Sequence, residues 1–122
     1  MLFTVSIERH FWASHQLVMS DGSKEPAHNH NWVVVAEVSS KTLDDAGIVM
    51  DFCQLEDMVD EVVAEFDNAR LDGIDYFRRN NPSAENVAKY VYEKLEPQLP
   101  DDVKLALVRV VEDQGCSAKF SK

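Results

Sequence analysis

The chain has 122 residues, 45% of them hydrophobic and 28% charged, which suits one soluble globular domain with a single core and leaves room for association with further copies. Its formal net charge of −10 argues against nucleic acid, whose binding rests on Lys/Arg contacts to phosphate. It also disfavours an anionic substrate, unless Lys24, Arg9, Arg70, Arg78 or Arg79 gather in one place. No apolar run approaches the ~20 residues that span a bilayer, and no basic-then-apolar leader opens the chain, so a cytoplasmic location without membrane contact is expected. Cys53 and Cys116 show no metal-knuckle or redox spacing and are expected as reduced thiols.

In chain order, Leu2–Glu8 alternates Phe3, Val5 and Ile7 against Thr4, Ser6 and Glu8, a half-buried strand. Residues 9–29 contain Ser20-Asp21-Gly22-Ser23 and Pro26 and are expected as a long loop, a length that usually marks function. Asn31–Ser39 predicts a second strand, antiparallel to the first. Asp51 opens a helix as its cap, with Gln54 placed for a capping box and Phe52, Leu55, Val59, Val62 and Phe66 as the apolar stripe. Ser83 caps a second helix whose stripe is Ala84, Val87, Ala88, Val91 and Leu95, ended by Pro97 and Pro100. Val103–Glu112 and Cys116–Phe120 predict two more strands joined around Gly115. The order ββααββ implies an α+β fold, residues 1–122 as one domain, with a four-stranded antiparallel sheet and two helices on one face.

Three of the four histidines stand out. His28 and His30 flank Asn29 at the entry to a strand, where residues i and i+2 share a face. His15, from the expected loop, can supply a third nitrogen. Three imidazoles without a fourth protein ligand suit a catalytic zinc, which keeps one position open. Glu112 is in phase with Ala106, Val108 and Val110, so a carboxylate ends an apolar strand face. It is placed either as a solvated strand end or facing a pocket, where it can accept paired N–H bonds from an amidine-like edge.

Five segments in the same order resemble the 6-pyruvoyltetrahydropterin synthase and 6-carboxytetrahydropterin synthase family: Phe11-Trp12-Ala13-Ser14-His15, Ala27-His28-Asn29-His30-Asn31-Trp32, Gly47-Ile48-Val49-Met50-Asp51-Phe52, Asn81-Pro82-Ser83-Ala84-Glu85-Asn86 and Val110-Val111-Glu112. The resemblance implies a tunnelling fold assembled as a homo-oligomer, a trimer or a hexamer, with active sites between subunits. It implies Zn2+ on His15, His28 and His30, binding the side-chain hydroxyls of a dihydroneopterin-like substrate. It further implies Glu112 on the 2-amino and N3–H edge of the pterin, aided by Ser83 and Glu85 of a neighbouring subunit.

Two positions depart from the family pattern. The family's cysteine, four residues before the first histidine of the pair, is Lys24 here. Its Asp-His pair is Asp67-Asn68: Asp67 survives as a candidate catalytic residue, but asparagine cannot serve as an acid or base near neutral pH. Glu25 is the expected replacement base, as in a family branch that cleaves the side chain to a hydroxymethylpterin; His10 is a second candidate. The expectation is a zinc-dependent lyase on a dihydropterin side chain. The alternatives are a pterin-binding paralogue without catalysis, or a zinc enzyme acting on another purine-like molecule.

Overall fold

The computed structural model describes all of residues 1–122. Two 13-residue strands dominate it, β1 (Phe3–His15) and β2 (His28–Ser40), paired antiparallel along their whole length from Phe3↔Ser40 to His15↔His28. The first strand thus runs seven residues beyond the expected Leu2–Glu8, and the expected loop 9–29 shrinks to residues 16–27. The physical reason lies in the alternation, which continues through Arg9, Phe11, Ala13 and His15 on the inward face. Phe11, Ala13 and His15 are fully buried there, and Arg9 is accommodated by a two-pronged bond to Asp60 at 2.7 and 2.8 Å. His15 therefore belongs to a strand, not to an irregular stretch.

Helix α1 (Phe52–Val63) follows, its N-cap Asp51 accepting the Cys53 N–H at 2.7 Å. Leu55, Val59 and Val62 face inward as expected, but Phe52, at the first position of the helix, is 56% exposed. The chain then turns at Asn68, whose φ of 58° is left-handed, a conformation asparagine tolerates better than most residues. That turn drops Ala69–Arg70 beside β1 as a two-residue parallel strand, β3. The Asp67 carboxylate accepts the Trp12 N–H at 3.0 Å, and Asn68 N–H donates to the Trp12 carbonyl at 2.6 Å.

A short helix α2 (Asp75–Arg79) precedes α3 (Ala84–Leu95), capped by Ser83 Oγ on the Asn86 N–H. Strands β4 (Lys104–Asp113) and β5 (Cys116–Phe120) complete a sheet of order β3-β1-β2-β4-β5. The sheet is five-stranded and mixed rather than four-stranded and antiparallel; the addition is the two-residue β3, too short for periodicity to reveal. The main helices α1 and α3 lie over one face, as expected. The core between the layers is built on Trp32, Phe11, Phe66, Leu55 and Leu95, all at most 2% exposed. No helix is long and apolar enough to cross a membrane.

Candidate metal centre

The register of β1 and β2 builds the site. His15 and His28 are directly opposed, and His30 lies one inward-facing position further along β2. Side chains from one face of a strand pair meet in this way without any loop contribution. Glu112, near the end of β4, closes the group, and the four residues' ligand atoms all lie within 4.8 Å of one another. Beneath them Trp32 is fully buried, stacked on Phe11 and edge-on to His15 at 4.9 Å. Its indole N–H is bound to the Ala13 carbonyl at 3.1 Å, so the floor is fixed in orientation.

Two ring orientations are set by backbone carbonyls. His15 Nδ1 donates to the Pro82 carbonyl at 2.8 Å, and His28 Nδ1 donates to the Pro26 carbonyl at 3.0 Å. A carbonyl only accepts, so the protons of both neutral rings are on Nδ1 and both Nε2 lone pairs point into the cluster. Those two Nε2 atoms are 2.9 Å apart. Facing lone pairs at that distance repel unless a cation lies between or beside them. His30 Nε2 is buried without any hydrogen-bond partner, a costly state for an isolated nitrogen. Burial, reinforced by the neighbouring His28, holds the His30 pKa below its ordinary value and favours the neutral ring a metal requires.

Tetrahedral zinc with bonds of about 2.1 Å separates its ligand atoms by roughly 3.4 Å, comparable to the spacing seen here. The carbonyl bonds on Nδ1 are the outer-shell support typical of metal-bound histidine. The donor set therefore fits zinc. Glu112 offers Oε1 at 3.6 Å from His15 Nε2 and Oε2 at 3.7 Å from His30 Nε2. It stands beside the three histidines as the fourth member of the group.

Glu25 comes close to the cluster from residues 16–27, which form a small hairpin rather than a slack loop. Val18 and Lys24 bridge, Met19 N–H donates to Ser23 O at 2.7 Å, and Glu25 N–H donates to Leu17 O at 3.1 Å. The Glu25 carboxylate is 28% exposed, 4.0 Å from His28 Nε2, and accepts the Leu17 N–H at 3.3 Å. His10 is excluded as a partner of this group. It points to the opposite face of the sheet, half exposed and 3.3 Å from Glu8. Asp67, Ser83 and Glu85 make no polar contact with the histidines: Asp67 is held by Trp12 at the sheet edge, Ser83 serves as a cap and Glu85 is exposed on the first turn of α3.

Sequence reasoning missed a clamp inside Asn81–Asn86. Asn81 takes the Val18 N–H on Oδ1 at 2.9 Å and donates through Nδ2 to the Val18 carbonyl at 2.7 Å. Asn86 Nδ2 in turn donates to the Asn81 carbonyl at 2.8 Å. With Pro82 holding His15, this segment fixes both a candidate ligand and the hairpin that carries Glu25. The two asparagines bracketing the segment were the available signal.

The chain is similar to several known proteins. The family described as 6-pyruvoyl tetrahydropterin synthase matches residues 4–122. The dihydroneopterin monophosphate aldolase of Pyrococcus furiosus is 36% identical over 95 residues, covering 78% of this chain and 76% of its own. The 6-carboxy-5,6,7,8-tetrahydropterin synthase of Rickettsia bellii is 25% identical over 125 aligned positions, covering 87% of this chain and 91% of its own. The structure of Caenorhabditis elegans 6-pyruvoyl tetrahydropterin synthase superposes with a TM-score of 0.87 at 23% identity, over all of this chain and 96% of that one, and shares the fold.

Proposed function

The chain belongs to the 6-pyruvoyl tetrahydropterin synthase family, and from that premise we propose that it is a zinc-dependent lyase that cleaves the side chain of a dihydroneopterin phosphate. The observation that carries this reading is the convergence of three imidazole nitrogens with Glu25 at their rim. His15, His28 and His30 would hold zinc, and the ion would polarise the side-chain hydroxyls and make them more acidic. Glu25 is then the base. It removes the proton of the second side-chain hydroxyl as the bond between the first and second side-chain carbons breaks. That electron pair passes into the pterin ring, the first carbon regains a proton, and the products are a hydroxymethyl dihydropterin and a two-carbon aldehyde.

Carbon–carbon cleavage is favoured over the synthase reactions because Lys24 and Asn68 replace the family's cysteine and histidine, while Glu25 is retained beside His28. The aldolase from Pyrococcus furiosus supports the same choice by its name. We assign Glu112 to the metal end, where its oxygens face the histidines, in place of the ring edge. Glu85, exposed and free of ion pairs, is left to grip the 2-amino and N3–H edge, with Ser83 nearby.

A homo-oligomer, trimer or hexamer, completes the site in this reading. Most of the outer edge of β1 has no strand beside it, since β3 pairs only with Ala13 and Ser14, and Trp12 is 49% exposed on the uncovered sheet face. Asp67 and Glu85 make no polar contact with the histidines of their own chain, and in this reading they contribute to the site of a neighbouring copy. The net charge of −10 argues against a nucleic-acid partner, and a cytoplasmic location is part of the same proposal. A pterin-binding paralogue is the second reading, favoured by Asn68, which forms a turn rather than a proton relay.

The test is incubation of the zinc-loaded protein with 7,8-dihydroneopterin mono- and triphosphate, followed by mass spectrometry. A hydroxymethyl pterin with a two-carbon aldehyde is expected. A pyruvoyl or carboxy product would overturn the assignment of Glu25, and binding without turnover would favour the paralogue.

A further inference from the structure

The Glu112 carboxylate has imidazoles as its only ion-pairing neighbours. Its Oε1 stands 3.6 Å from His15 Nε2 and its Oε2 3.7 Å from His30 Nε2, with no lysine or arginine at such a distance. The side chain is 27% exposed. A carboxylate covered to that extent is costly to hold unless a cation or hydrogen-bond donors face it. The donors are committed elsewhere. The Nδ1 protons of His15 and His28 go to the carbonyls of Pro82 and Pro26, so both Nε2 atoms present lone pairs, and His30 Nε2 has no hydrogen-bond partner.

The backbone directs Glu112 to this place. It follows Val108 and Val110 on the inward face of β4, and the β4–β5 ladder shifts register between Val111 and Asp113, at Glu112 itself. Bulges of this kind re-aim a side chain beside a site. The ladder between β2 and β4 ends at Val33↔Val111, so Glu112 is paired to neither neighbouring strand. Its oxygens can therefore shift without breaking the sheet.

We infer that Glu112 is a fourth protein ligand of the metal, so that the site is closed at rest and opens when an incoming ligand displaces the carboxylate. The inference rests on the zinc reading of the histidines and is independent of the pterin. Its two contacts, 3.6 and 3.7 Å, match the roughly 3.4 Å between the ligand atoms of tetrahedral zinc. Three histidines alone leave a position open, and a carboxylate in the same group fills it. A ligand held by the chain competes at a high effective concentration, so a single water or small anion displaces it poorly. Two hydroxyls on one side chain arrive together and displace it more readily. The released carboxylate is then placed to accept a hydrogen bond from one of them.

Cobalt-loaded protein tests this, because the visible absorption of the ion reports its coordination. The probe is azide, a small anion that needs an open position. Glu112→Gln removes the charge and the ligand. Glu112→Asp keeps the charge but is one methylene shorter, which withdraws the oxygens from the histidines. Both variants should change the azide-free spectrum and bind azide about tenfold more tightly than the unmodified protein. Either variant matching the unmodified protein in spectrum or azide affinity overturns the fourth ligand and leaves the three-histidine site intact. A match by Glu112→Asp alone would assign the effect to charge. If the unmodified protein takes up neither cobalt nor zinc, the zinc reading falls and the inference falls with it.

Discussion

Replacing Asn81 with alanine separates the hairpin from the rest of the fold. The side chain makes two bonds to Val18, at 2.9 and 2.7 Å, and no other residue holds the hairpin tip to the helical layer so directly. A net contribution of about 1 kcal/mol for each bond gives roughly 2 kcal/mol for the clamp. Felt globally, that loss would lower Tm by about 8 °C for a chain of this size. The segment lies at the surface and, apart from Arg70 on Gln16 and His28 on Pro26 at its two ends, its remaining bonds are internal, so it opens largely alone, and we expect a Tm change nearer 3 °C. The loss should instead appear in hydrogen exchange. The Met19 and Glu25 amides donate within the hairpin, and 2 kcal/mol is about a thirtyfold loss of protection where opening depends on the clamp. Catalysis falls about tenfold as Glu25 loses its position. Asn86→Ala acts on the same clamp through the Asn81 carbonyl, so the double variant is less than additive. Exchange protection unchanged in a folded Asn81→Ala protein would refute the reasoning.

Glu25→Gln should lower turnover by about 10²- to 10⁴-fold with zinc content unchanged, read by steady-state kinetics and metal analysis; full activity would remove Glu25 from the mechanism. Asn68→Val forces a branched side chain into the left-handed turn and should cost about 1–2 kcal/mol in denaturant titration, whereas Asn68→Gly should be near neutral. Equal stability of the two variants would contradict the turn's role. Tyr90 is raised above its ordinary pKa of 10.0 by burial and by its 2.5 Å bond to Glu65. The folded state therefore favours the neutral phenol, so this contribution is intact below pH 10 and is lost as pH rises beyond it. Tyr90→Phe should flatten the fall of Tm on the alkaline side, and an unchanged slope would assign that fall to other groups.

Periodicity made most of the architecture readable. Leu55, Val59 and Val62 announced α1, and Ser83 announced α3 through its capping position. The end of β1 was hidden because Arg9 and His15 are polar residues at inward positions, where one meets Asp60 and the other a cluster of histidines and Glu112. Sequence patterns register such residues as loop, since the partners that make their burial acceptable are distant along the chain. β3 was invisible for a related reason: two residues carry no period, and they are held by Asp67 and Asn68 through bonds to the Trp12 backbone. The three histidines were legible as a group because one pair shares a strand face. The carbonyls of Pro26 and Pro82 that orient them were not, since a carbonyl belongs to every residue and only its placement distinguishes it. Glu112 was legible as a carboxylate in phase with an apolar strand face, but whether it met solvent or a pocket was not, because its distance from His15 and His30 depends on the register of β4 against β2.

Zinc K-edge absorption spectroscopy, before and after addition of dihydroneopterin monophosphate, tests the central claim most directly. The account predicts one zinc per chain with three imidazole nitrogens at about 2.0–2.1 Å and oxygen filling the remaining position. The ligand should change that oxygen shell while the three nitrogens stay in place. Sulfur in the first shell, loss of zinc without any effect of His15, His28 or His30 substitution, or a spectrum unchanged by a saturating pterin would contradict it.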